Sequence, residues 1–354
     1  MSKALVDKKK REDISKKILN LFKNKGFNFI DLDIVIDTDL LTQRSGEAFK
    51  KYALNFKDKS GKEISLRPDL TIATAIQYIQ NKKKGVGKFS YFGSAFRLNK
   101  KGDLSVFDQI GCEIINSKSS PEFLILSTIM SVFQKLKKTE IVINDLALFQ
   151  NLINSLDLPR RWKLRLIRHR SRKEYFDELL RRLDTNYDLD NEKIKIDYDR
   201  LTELKKMDIN KIIGGRTVEE IIERFEKKIK DPRDNFRGSH SVKIIKDFLR
   251  LKAPLDKSIY KLKNFFEKNN LKIKDLNTSI LKLKDLHKKF GLKYTISFNA
   301  QFGRETQYYT GIAFAVHKQK KELARGGEYN NLIKTLGGKQ TSAFGAAINL
   351  NELK

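Results

Sequence analysis

Residues 107–115 read FDQIGCEII. Phe107, Gln109, Gly111 and Glu113 recur at every second position, the period of a strand, so they share one face. That face carries an amide and a carboxylate inside an otherwise apolar run. If it is covered, Gln109 and Glu113 need partners, because an unpaired buried polar group is costly. The preceding run KFSYFGSAF, residues 88–96, is also strand-like. Two such runs in succession predict an antiparallel pair.

Working outward, helical spacing covers residues from about 10 to 25, with Ile14, Ile18, Leu21 and Phe22 on one side. FNFIDLDIVI (27–36) and YALNFKDKSGKEISL (52–66) are β-like, the second broken by Gly61 as a hairpin would be. A helix runs from Asp69 to about Gln80, with Ile72, Ala75, Ile76 and Ile79 on one side, and Pro121 opens another through about Leu136. After the strand TEIVIN (139–144), the period turns helical and the text basic from Asp145 to Phe290. Pro159, Gly214–Gly215, Pro232, Gly238 and Pro254 punctuate that block. β-like text then returns as KYTISFN, YYTGIAFAVH and KELAR, followed by a helix from Glu328 to about Leu336 and by SAFGAAINL. The expected class is α+β, an antiparallel sheet flanked by helices with a helical insertion. Its expected parts are 1–144, a mainly helical insertion at 145–290, and 291–354.

Composition narrows the function. The 354 residues include 73 Lys+Arg against 44 Asp+Glu, a formal charge of +29. At 40% hydrophobic residues the chain can bury a core, which excludes wholesale disorder. One cysteine, Cys112, excludes a disulfide framework, and four scattered histidines (His169, His240, His287, His317) show no metal-ligand spacing. The basic start MSKALVDKKKREDISKK lacks a signal peptide's apolar stretch, and no run approaches the ~18 apolar residues of a membrane span. The expectation is a soluble, cytoplasmic protein. The positive charge points to an anionic partner such as nucleic acid, or to lysines on solvated faces. Its dispersal in KKK and KK runs favours the second.

Two further stretches hold polar residues against apolar neighbours. LRPDLT (66–71) sets Arg67, Asp69 and Thr71 at a strand-to-helix junction, and FGRETQYYTGIAF (302–314) sets Arg304 before the Tyr308–Tyr309 pair. With Gln109 and Glu113 they suit a zwitterion, since carboxylates meet an ammonium and arginine meets a carboxylate. The alternative is mutual structural pairing, Asp69 with Arg67 for example. PRRWKLRLIRHRSRKEYFDELLRRL (159–183) mixes arginine with Trp162, Tyr175 and Phe176, compatible with RNA stacking. Leu164, Ile167, Phe176, Leu179, Leu180 and Leu183 also read as core, and packing together with a protein interface is the preferred reading. Gly326–Gly327 and Gly337–Gly338 lack the context of a nucleotide loop.

These stretches resemble the class II histidyl-tRNA synthetase catalytic core and, more closely, its paralogue family, the regulatory subunits of ATP phosphoribosyltransferase. LRPDLT is similar to the synthetase-type LRP(D/E)xT element, and SYFGSAFR with FDQIGCEII to class II motif 2. FGRETQYYTGIAF resembles the histidine-specific RGLDYY element, ARGGEYNNLIKTLGG the GGRYDxLL segment, and SAFGAAINLNEL motif 3. IIGGRTVEEIIERF (212–225) is similar to a stretch of alphaproteobacterial-type regulatory subunits. The resemblance implies a class II synthetase-like fold and a histidine pocket. Asp69 and Thr71 would hold the ammonium with Tyr329 beside them, Arg304 and Gln109 the carboxylate, and Glu113 and Tyr309 would read the imidazole.

Departures from the family pattern bear on catalysis. A class II synthetase meets ATP phosphates with a motif 2 and a motif 3 arginine. Arg97 keeps the first, a possible phosphate contact, but Asn99 replaces the acid two positions on. Glu352 replaces the second and Asn349 a glycine. Gln307 replaces the acid of RGLDYY, Ala315 stands where Glu is common, and Glu328 turns GGRY into GGEY. With the sequence ending at Lys354, the expectation is a chain without a counterpart of the anticodon-binding domain. The resemblance thus implies a non-catalytic subunit without cofactor or metal. It would self-associate as a dimer and join a short-form catalytic subunit in a hetero-oligomer, with histidine as ligand. The rival expectations are a histidyl-tRNA synthetase-like, adenylate-forming enzyme and an RNA-binding module.

Overall fold

A computed structural model describes residues 3–38, 53–81, 85–99, 101–136, 138–185, 191–213, 216–230 and 235–353. Gly214–Gly215 and Pro232, read as breaks in the helical block, and Lys354 lie outside them. In chain order the elements begin with α1 (Lys3–Asn24), β1 (Asn28–Phe29), β2 (Val35–Asp37), β3 (Asn55–Lys57), β4 (Glu63–Leu66) and α2 (Leu70–Gln80). There follow β5 (Gly87–Leu98), β6 (Leu104–Ile115), α3 (Pro121–Val132) and β7 (Thr139–Asp145). The helical block contains α4 (Leu146–Ser155), α5 (Arg160–Arg168), α6 (Lys173–Asp184) and α7 (Asn191–Leu204). It continues with β8 (Ile212–Ile213), β9 (Arg216–Thr217), α8 (Val218–Lys230), α9 (Asn235–Leu249), β10 (Lys252–Pro254), α10 (Leu255–Lys268) and α11 (Leu276–Phe290). The last elements are β11 (Thr295–Asn299), β12 (Ile312–Lys318), β13 (Lys321–Glu328), α12 (Leu332–Thr335), β14 (Ala343–Asn349) and a 3-10 turn, Leu350–Glu352.

The main sheet runs β1-β5-β6-β14-β13-β12-β7-β11-β10. Its β1–β5 and β7–β11 pairs are parallel, and the other neighbours are antiparallel, with β5–β6 and β12–β13 directly consecutive in the chain. A smaller sheet, β2-β4-β3, contains the Gly61 hairpin, with Gly61 at φ +83°.

Strand alternation divides the main sheet into two chemistries. Ile110, Cys112 and Ile114 of β6, Phe344, Ala346 and Ile348 of β14, and Phe314 and Val316 of β12 enter one apolar core. Helices α1, α3, α4, α6, α9, α10 and α11 contribute to the same core. Each large side chain fully buried there contributes about 1.5–3 kcal/mol. The intervening residues Tyr91, Ile115, Ala313 and Ala343 turn to a second, smaller core with α2, Tyr309 and Tyr329. Gly111 and Glu113 alternate with the first set and belong to this second face.

The structure revises several local expectations. The helix expected from Glu328 is strand as far as Glu328, because Gly326, Gly327 and Glu328 pair with Ala346, Gly345 and Phe344. Only the turn Leu332–Thr335 is helical. The helical block supplies an edge strand, β10, which pairs with β11. Leu164 is 54% exposed rather than core, since Trp162 and Leu166, four apart, face inward and Leu164 lies opposite. Phe176, Leu179, Leu180 and Leu183 are buried. Trp162 is buried too, with Arg161 and Arg165 over its ring at 6.0 and 5.1 Å. Trp162 and Phe176 are therefore packing residues. No helix of the described residues is long and apolar enough to cross a membrane.

Candidate functional site

The polar face of β6 opens onto α2, β5, β13 and β14. At its centre Glu113 is fully buried. One carboxylate oxygen accepts from Thr71 Oγ1 at 2.7 Å and from Tyr91 Oη at 2.9 Å; the other accepts from Tyr329 Oη at 2.6 Å. Burial pushes the carboxyl up to about 7, with the three hydroxyls opposing that rise. Gly345 of β14 lies opposite Glu113 in the ladder, and a Cβ there would fall 1.3 Å from the Glu113 carboxylate. The carboxylate occupies the space of the missing side chain.

Asp69 caps α2, accepting from the amides of Thr71 at 2.7 Å and Ile72 at 3.4 Å. This is the local reason LRPDLT turns from strand to helix, because a capping carboxylate satisfies first-turn amides. Its other oxygen accepts from Arg97 at 3.0 Å and from Tyr308 Oη at 3.1 Å. Arg97 also donates to the Pro68 carbonyl at 2.7 Å and lies over the Phe107 ring at 5.0 Å. The partner of Asp69 is thus Arg97 rather than Arg67. Arg67 is buried and donates to the carbonyls of Ser94 and Leu32.

Tyr309 is buried, its ring 5.2 Å from that of Tyr308, which in turn lies 6.1 Å from Tyr329. Burial raises the phenols of Tyr91, Tyr308, Tyr309 and Tyr329, so all remain protonated donors. Gln109 is on the face of Glu113, and its buried Oε1 has no partner among the described residues. Arg304 is placed differently from the rest. Its guanidinium stacks on Phe149 of α4 at 5.0 Å and Phe176 of α6 at 4.4 Å. Its buried Nε has no hydrogen-bond partner among the described residues, and burial lowers the group to about 10.

Asp69, Thr71, Glu113 and Tyr329 therefore form one bonded cluster through Tyr91, Tyr308 and Arg97, with Tyr309 against it. Gln109 and Arg304 make no hydrogen bond to that cluster. Three participants escaped the sequence reading. Tyr91 pairs with Gly111 in the β5–β6 register, and a Cβ at 111 would lie 2.4 Å from its hydroxyl; the hairpin register carries that signal. Tyr308 was visible only as half of a tyrosine pair. Gly345 had no signal beyond being a glycine within a strand. At the motif 3 position, Glu352 pairs with Lys321 at 3.1 Å, and Asn349 caps the 3-10 turn through the Asn351 amide.

The sheet order, the capped α2 and this buried polar cluster define a class II aminoacyl-tRNA synthetase-like protein. The chain belongs to the histidyl-tRNA synthetase family, whose model matches residues 5–353. Within it, the chain is similar to ATP phosphoribosyltransferase regulatory subunits: it is 24% identical over 352 residues to that of Allorhizobium ampelinum, covering 93% of each chain. It is also 26% identical over 359 residues to the histidine–tRNA ligase of Methanocaldococcus jannaschii, covering 98% of this chain and 71% of the ligase. Among solved structures, an ATP phosphoribosyltransferase regulatory subunit/histidyl-tRNA synthetase from Bacillus halodurans shares the fold with a TM-score of 0.67. That match has 14% identity and covers 98% of this chain and 78% of the other.

Proposed function

We propose that this chain is a non-catalytic regulatory subunit of an ATP phosphoribosyltransferase, serving the first step of histidine biosynthesis and its feedback control by histidine. The observation that carries this reading is Glu352. Where the resemblance calls for a phosphate-binding arginine stands a carboxylate, paired with Lys321, that supplies no cation for a polyphosphate. Arg97, the remaining motif 2 cation, is engaged by Asp69. The residue types that the resemblance assigns to the amino acid are retained by contrast, and Glu113 is held by three hydroxyls.

In this reading Glu113 and Tyr309 meet the imidazole, Asp69 and Thr71 the ammonium, and Arg304 and Gln109 the carboxylate. Tyr329 acts through Glu113, to which its hydroxyl is committed. A carboxyl near 7 beside an imidazole, whose free pKa is about 6.5, shares a proton with it readily. Histidine regulates only by binding one state of the assembly better than another. We assign residues 145–290 as the insertion within the synthetase-like fold, and the working assembly as a cytoplasmic hetero-oligomer of dimers with a short-form catalytic subunit.

The test is to co-purify the chain with a short-form catalytic subunit and assay phosphoribosyl transfer with and without histidine. Activity dependent on this chain and suppressed by histidine is the expected result. The second reading, an adenylate-forming enzyme, is favoured by the similarity to the Methanocaldococcus ligase. Histidine-dependent exchange of pyrophosphate into ATP by the chain alone would establish it and overturn the first.

A further inference from the structure

We propose that Arg170 is a positioning residue for the ligand loop, tying the segment that carries Arg304 and Tyr309 to the helical block. The histidine part of this inference rests on the function proposed above; the mechanical part does not.

The segment between β11 and β12, residues 300–311, contains no helix or strand. Its irregular backbone must be held by outside partners. Arg170 lies in the turn between α5 and α6, and one of its guanidinium nitrogens donates to the carbonyls of Gln307 at 3.0 Å and Tyr309 at 2.5 Å. These two carbonyls flank Tyr308, whose hydroxyl reaches Asp69. A planar guanidinium bound to residues two apart fixes the orientation of the peptides between them. Of the same basic stretch, Arg160, Arg168 and Arg172 are exposed and Arg161 and Arg165 lie over the Trp162 ring, whereas Arg170 turns to the loop. No carboxylate pairs with Arg170 among the described residues, and burial lowers its pKa. Its directed partners are therefore loop carbonyls.

The same loop is held from the sheet side. Glu305 pairs with Arg325, whose guanidinium also bonds Glu322 and lies over Phe302 at 5.0 Å. From the helical side it is held by Arg170 and by the stacking of Arg304 on Phe149 and Phe176. Any displacement of the α5–α6 turn moves the Tyr308–Tyr309 peptides, and by linkage a ligand that fixes those tyrosines biases the turn.

The test uses the full chain with Arg170→Met, which keeps the aliphatic stem and removes the donors, and Arg170→Lys as the conservative variant. Without ligand, hydrogen exchange at residues 303–311 should rise in Arg170→Met, less in Arg170→Lys, and stay unchanged in β6 and β14. With histidine, calorimetry should show the dissociation constant rising about tenfold or more in Arg170→Met, as for a lost charge-assisted hydrogen bond. Unchanged exchange in the loop overturns the proposal, as does a rise spread equally over β6 and β14, the mark of a merely structural role. Faster loop exchange in a chain whose wild type binds no histidine overturns the proposed ligand and supports the positioning role.

Discussion

Replacing Glu113 by glutamine isolates the energetic consequence of burying this carboxylate. The amide is nearly isosteric with the protonated acid, and its oxygen can still accept from Thr71 and Tyr91. Its nitrogen donates to the Tyr329 hydroxyl, from which the carboxylate oxygen accepted, a pH-independent change of about 1 kcal/mol. The pH-dependent part follows from the pKa. The folded carboxyl keeps its proton up to about 7, whereas the unfolded group releases it near 4.5. Between those values the folded state binds more protons than the unfolded, so stability falls as pH rises. This contribution is fully present below 4.5 and is lost through about 7. At 1.36 kcal/mol per tenfold, the whole interval corresponds to about 3 kcal/mol, of which about 2–3 kcal/mol falls between pH 5 and pH 8. Urea unfolding of both proteins at pH 5, 6, 7 and 8, at fixed ionic strength, should show Glu113→Gln gaining that much relative to the wild type. Histidine binding should weaken in the same variant. Parallel stability curves over this range would refute the reasoning, because Glu113 would then titrate alike folded and unfolded.

Gly345→Ala forces a Cβ into the Glu113 carboxylate; a loss of about 1–3 kcal/mol is expected from overpacking, with weaker histidine binding, measured by denaturation and calorimetry. Arg304→Met keeps contact with Phe149 and Phe176 but removes the guanidinium. Histidine affinity should fall about 10- to 100-fold, the equivalent of about 1.5–3 kcal/mol, while stability holds or rises because an unpaired, largely buried charge is gone. A loss of stability in Arg304→Met, seen in urea, would show that the stacked cation serves the fold.

The sheet and the centre of the site were legible because their causes are local. The alternation of FDQIGCEII gives β6 its two faces, and a carboxylate just before an apolar helical run gives α2 its cap. Glycine at φ +83° marks the β3–β4 turn. The illegible parts depend on residues far apart in the chain. Arg304 finds Phe149 and Phe176 some 130 to 155 positions earlier, and Arg170 finds carbonyls 137 and 139 positions later. Neither contact leaves a periodic trace. The text of β13 was misread beyond Arg325 because glycine and glutamate are weak strand formers; pairing with β14 decides the matter. Leu164 was assigned to the core by composition, although its spacing from Trp162 and Leu166 already placed it on the opposite side of α5.

The pairing of Glu113 with Gly345 also bears on how the chain finds its alignment. A strand that slips by one residue sends every side chain to the other face. For β6 that would deliver Glu113 among the isoleucines of the large core, away from Thr71, Tyr91 and Tyr329, where an unpaired carboxylate is expensive. It would also ask β14 for a vacancy that only Gly345 supplies. The carboxylate proposed to read a ligand thus disfavours the misaligned sheet during folding, and an apolar replacement at 113 should remove that safeguard along with the binding.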